Sequence, residues 1–78
     1  MTPAELVRLA RVRRLTASGE AKEILERAQV SDNAVAQVIG VSHVTVGRWN
    51  NATRKPSGPP ALAYLSLLDA LCRAERAT

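Results

Sequence analysis

The stretch Ser31–Pro56, SDNAVAQVIGVSHVTVGRWNNATRKP, decides the fold. It reads as two short helices joined by a tight turn at Gly40–Ser42. Ser31 is placed to cap the first helix, because its hydroxyl can accept a free backbone N–H of the first turn. Val35, Ala36 and Ile39 then recur at helical spacing on one face. Gly40 stands where that helix must stop, and only glycine enters the left-handed region without steric cost. Val41 points inward, and Ser42 is placed to cap the second helix. The buried face of that helix is Val46 and Trp49. The small Ala36 lets the two helices cross closely. His43, Val44, Thr45, Gly47 and Arg48 face away from this core.

Two helices joined in this way, with basic residues in the second and in the loop after it, have the layout of a helix-turn-helix. Such a motif sets its second helix in the major groove of DNA. The residues Ala36, Gly40, Val41, Ser42, Thr45, Val46, Arg48 and Trp49 resemble the Cro/CI-type (XRE-like) helix-turn-helix family. That family shows an Ala four residues before the turn Gly, then Val-Ser, a Thr-hydrophobic pair, and Arg-Trp closing the recognition helix. The stretch Trp49–Ser57, WNNATRKPS, is similar to the family's following loop, Trp-Glu-Asn-Gly with basic residues and Pro-Ser after it. The likeness is strong over the motif and its loop and extends more weakly from Glu20 to Leu71. It implies an all-α, lambda-repressor-like bundle of about five helices. It also implies a sequence-specific transcriptional regulator, a small repressor of the kind phages and mobile elements encode, which acts by occupying an operator. Three positions depart from the family pattern. Asp32 stands where many members have a Gln that contacts a phosphate, Asn50 replaces the usual Glu, and Ala52 replaces the usual Gly.

Composition sets the frame. Seventy-eight residues make one small domain with a modest core. No apolar run is long enough to span a membrane. Charged residues and Leu interleave at the N-terminus, unlike a signal peptide, so a cytoplasmic location is expected. The single cysteine, Cys72, excludes an internal disulfide and argues against a Cys-based metal site. No cofactor or metal is expected. The distribution of charge says more than the net +4. No Asp or Glu occurs from Asn33 to Leu68, whereas Arg48, Arg54 and Lys55 lie in that stretch and His43 can add charge. Arg8, Arg11, Arg13 and Arg14 face a lone Glu5 near the N-terminus. A surface cleared of carboxylates suits a polyanion, because each neutralised phosphate releases counterions. Taken alone, it would equally suit a solvated basic face.

Outside the motif the sequence predicts three further helices and no strand. Thr2 caps the first, Pro3 opens it and Glu5 completes a capping box. Leu6, Leu9 and Val12 form its apolar side. Arg13 falls on that side too, so the helix either ends there or lets Arg13 snorkel. Thr16–Gly19 is the expected break. A helix over Glu20–Ala28 follows, with Ala21, Ile24, Leu25 and Ala28 in one stripe. This divides the chain into a basic helical extension, residues 1–17, and a DNA-binding domain, residues 18–76. The last helix is expected from Pro59–Pro60 to about Arg73. Its Tyr64, Leu65, Leu67, Leu68, Leu71 and Cys72 cover more of its circumference than a small core needs. Either the N-terminal helix or a second subunit would cover the excess.

The site residues follow from the motif. Base contacts are expected from His43, Val44, Gly47 and Arg48. Bidentate Arg to guanine is the commonest specific contact in the major groove, with a phosphate as the alternative for Arg48. His43 suits a base or a phosphate. Val44 suits a thymine methyl, or the helix–helix interface. Gly47 suits a close backbone approach to DNA, or chance. Phosphate contacts are expected from Asn33, Gln37, Ser42, Thr45, Asn51, Thr53, Arg54 and Lys55. Trp49, in phase with Val46, belongs to the core. No enzyme constellation is present. The partners expected are double-stranded DNA and a second copy of the chain, as a homodimer formed in solution or on DNA, and no membrane. The other reading is an antitoxin or similar protein-interaction module on the same fold.

Overall fold

The computed structural model describes residues 1–77. It is all-α, with five helices and no strand among the described residues: α1 Pro3–Ser18, α2 Glu20–Ala28, α3 Asp32–Ile39, α4 His43–Asn50 and α5 Gly58–Ala77. No helix is long and apolar enough to cross a membrane among these residues.

Local chemistry explains the boundaries. The capping box at α1 is formed: Thr2 Oγ1 accepts the Glu5 N–H at 3.1 Å, and Glu5 Oε1 accepts the Thr2 N–H at 3.3 Å. Ser31 and Ser42 cap α3 and α4 by accepting the N–H groups of Ala34 and Thr45. The break expected at Thr16–Gly19 narrows to Gly19 alone. Thr16 and Ser18 stay within α1, their hydroxyls donating back to the carbonyls of Arg13 and Leu15. The last helix is longer than the sequence suggested and runs to Ala77. Pro59 and Pro60 are tolerated in its first turn. Its final turn is tied down by Glu75, 3.2 Å from Arg27 of α2.

One core gathers all five helices. Leu9, Val12 and Leu15 of α1 lie in it with Ala21, Ile24 and Leu25 of α2, Val35 and Ala36 of α3, Val46 and Trp49 of α4, and Ala61, Tyr64, Leu65 and Leu68 of α5. The N-terminal segment is therefore not set apart from the rest at residue 17, since α1 packs on α2, α4 and α5. It also answers what covers the last helix. Tyr64, Leu65 and Leu68 are fully buried, and Leu67, Leu71 and Cys72 pack against the same core. Arg8 and Arg11 point at α5, where Arg8 Nη2 donates to Ser66 Oγ at 2.7 Å and Arg11 pairs with Asp69 at 3.0 Å. Arg13 snorkels: its Nε donates to the Pro56 carbonyl at 2.8 Å. Leu6 and Ala28, placed on buried stripes by periodicity, are exposed.

A left-handed residue follows each helix of the motif. Gly40 closes α3 at φ +79°. Ala52 closes α4 at φ +62°, in a turn where the Thr53 and Ala52 N–H groups bond to the carbonyls of Arg48 and Trp49. This pair of bonds defines a Schellman motif, whose left-handed position favours glycine. Ala52 bears strain there that a glycine would not. Gly40→Val should lose more than about 1 kcal/mol of stability in thermal melts, because a β-branched residue is strained at positive φ. Ala52→Gly should gain up to about 1 kcal/mol, the relief of left-handed strain less the extra chain entropy of glycine.

Candidate nucleic-acid interface

The helix-turn-helix is held by α3 against α4 and by both against the rest of the bundle, α3 on α5 and α4 on α1. Val46 and Trp49 anchor α4 in the core, and the Trp49 ring stacks on Tyr64 with centroids 5.8 Å apart and planes at 27°. A chain of hydrogen bonds runs beside this stack. The Tyr64 hydroxyl donates to Asn50 Oδ1 at 2.7 Å, and Asn50 Nδ2 donates to Asp32 Oδ1 at 3.1 Å. Three helices are thus joined through one buried amide. The bonded pair comprises two of the three positions that differ from the pattern the motif resembles. Asp32 and Asn50 are bonded to each other, so the two departures belong together. Their pairing turns the Asp32 carboxylate toward α4. Sequence reasoning treated the two residues separately and missed the pair, which lies 18 positions apart.

The exposed side of α4 carries His43, Val44 and Arg48. Val44 is 47% exposed, so it does not fill the helix–helix interface. Gly47 is half-buried against α3. A methyl group added there would lie 3.7 Å from Asp32 Oδ2, an ordinary contact, and its φ is not positive. Nothing inside the fold therefore requires glycine at 47. Ser42 and Thr45 are engaged with each other, their hydroxyl oxygens 3.0 Å apart, and Ser42 also caps α4. Asn33 and Gln37 stand exposed on α3, one turn apart.

The loop after α4 is tied to the helix that carries Arg48. The Arg48 carbonyl accepts the Thr53 N–H at 3.0 Å, the Arg54 N–H at 3.3 Å and the Thr53 hydroxyl at 3.1 Å. Asn51, Arg54 and Lys55 are exposed along this turn. Pro56 is fully buried, and its carbonyl is held by Arg13. Arg13 is a residue that sequence reasoning left outside the site. The structure makes it the brace of the basic loop, and its misfit on an apolar helix face was the available signal. Arg8, Arg11, Arg13 and Arg27 all have partners within the chain. Arg48, Arg54 and Lys55 form no ion pair among the described residues.

No protein-family model, curated protein or solved structure matches this chain.

Burial pushes the Tyr64 hydroxyl from 10.0 up to about 12, and the nearby Asp32 carboxylate adds to the rise. The folded phenol holds its proton more tightly than the unfolded one. Its contribution is therefore present in full below the unfolded value of 10.0 and is lost as pH rises toward 12. A shift of this size corresponds to roughly 2–3 kcal/mol. Tyr64 is the sole tyrosine, so phenolate absorbance reads it alone. Its ionisation should coincide with alkaline unfolding instead of preceding it. Tyr64→Phe should lose about 1–3 kcal/mol near neutral pH, because Asn50 Oδ1 is left buried without a donor.

Proposed function

We propose that this chain is a sequence-specific DNA-binding transcriptional regulator that sets α4 in the major groove of an operator and represses by excluding polymerase. The observation that carries this reading is the continuity of Arg48, Arg54 and Lys55. All three are exposed and outside any ion pair among the described residues, and the Arg54 N–H bonds to the Arg48 carbonyl. In sequence, no Asp or Glu occurs from Asn33 to Leu68. The resemblance to Cro/CI-type regulators points the same way. In this reading His43, Val44 and Arg48 meet base edges, and Asn33, Gln37, Asn51, Thr53, Arg54 and Lys55 meet phosphates on either side. Ser42 and Thr45 serve the helix cap first and reach a phosphate with the capacity that remains.

One such helix reads only a few base pairs, so two copies are expected on inverted half-sites about 34–36 Å apart. The last helix spends its leucines on its own core. That favours pairing on DNA over a dimer formed beforehand through α5.

Selection of bound duplexes from random sequence tests the reading. Arg48→Ala should relax preference at one base position in each half-site by about 1–3 kcal/mol, with a much smaller effect on non-specific binding. A site without an inverted repeat, footprinted by a single copy, would overturn the two-copy arrangement. The double replacement of Arg54 and Lys55 by Ala should weaken binding to all sequences alike. It should also lower the slope of affinity against salt by about one for each phosphate that is no longer neutralised.

A further inference from the structure

We infer that Asp32, although it belongs to α3, is a specificity-determining residue of the recognition helix, presenting a carboxylate oxygen to a base amino group at the place where residue 47 has no side chain. This rests on the regulator reading above. Three features of the structure carry it. Asp32 Oδ2 lies 3.7 Å from where a Cβ of Gly47 would be, so the carboxylate stands beside the volume that a side chain at 47 would occupy. Its other oxygen is fixed by Asn50, which is in turn fixed by Tyr64, so the group is pre-oriented by buried partners and does not swing freely. Asp32 is only half-buried and forms no ion pair among the described residues, which leaves Oδ2 accessible.

The chemistry then limits what it can read. A carboxylate only accepts hydrogen bonds, and in the major groove the bases offer donors only as the amino groups of cytosine and adenine. Guanine and thymine present acceptors at the corresponding edge and would be repelled. A phosphate would be repelled as well. Asp32 therefore replaces a general backbone contact, the role that the family resemblance gives to a Gln at this position, with a discriminating one.

The test is Asp32→Asn in the full chain. Asn is isosteric, can still accept the Asn50 Nδ2–H, and removes only the charge and the acceptor-only character. Thermal melts establish that the variant is folded. Duplex selection should show the wild type preferring cytosine or adenine at one position next to the Arg48 contact, by roughly 5- to 100-fold. In Asp32→Asn that preference should be lost at that position and nowhere else, moving toward guanine or thymine because the amide NH2 donates where the carboxylate accepted. Uniform tightening on every sequence would mean that the carboxylate merely repels a phosphate. An unchanged profile would mean that it serves only the fold. Either result overturns the assignment while leaving the regulator reading intact. A wild type that selects no duplex overturns the regulator reading, and this assignment with it.

Discussion

The placement of α4 depends on Asn50. Its amide takes the Tyr64 hydroxyl on one side and gives a hydrogen to Asp32 on the other. Both functions are needed, because a buried amide left half-satisfied costs more than a bond is worth when made. Trp49 beside it, with Val46, supplies buried apolar contact but no directed bond. The two hydrogen bonds are directional. They fix which face of α4 is turned outward, and with it where His43, Val44 and Arg48 point. An apolar core alone would hold α4 in the bundle without specifying that angle so tightly.

The left-handed turn after α4 extends the same control to the loop. Because Thr53 and Arg54 both bond to the Arg48 carbonyl, the loop cations move with the helix that carries Arg48. At the other end of the loop, Pro56 is buried and Arg13 grips its carbonyl. Exposed basic side chains thus stand on a backbone braced at both ends. For binding a polyanion this matters energetically, since cations already held in register lose less freedom when phosphates arrive. The strain at Ala52 is the counter-cost of that geometry.

Much of the fold could be read from the residues, for identifiable reasons. Caps and turns are local: Thr2, Ser31, Gly40 and Ser42 act on N–H and carbonyl groups within a few positions, so their roles follow from spacing. Core positions in α3 and α4 follow from periodicity. What could not be read depends on distant partners. Periodicity marks Leu6 and Ala28 as inward but cannot tell where the neighbouring helix ends. The Arg8–Ser66 and Arg11–Asp69 contacts span 58 positions, and sequence spacing carries no trace of them. The Asp32–Asn50 bond lies between these extremes, since two departures from one pattern in one motif hint at a pair without showing which atoms meet.

The arginines of α1 show how the chain divides its positive charge. From sequence they form a basic face comparable to that of the motif. In the fold, Arg8, Arg11 and Arg13 are committed to Ser66, Asp69 and the Pro56 carbonyl. An exposed pair such as Arg11–Asp69 adds little stability, within about 1 kcal/mol. It neutralises one of the four arginines of α1, whereas Arg8 and Arg13 bond to neutral groups and Arg14 is exposed. The stretch from Ser31 to Pro56 carries Arg48, Arg54 and Lys55 with Asp32 as its one carboxylate, and that carboxylate is held by Asn50 beside Gly47. The net charge of +4 is therefore unevenly opposed along the chain. The field that a polyanion meets depends on which stretch it approaches, because screening confines each patch to about a Debye length.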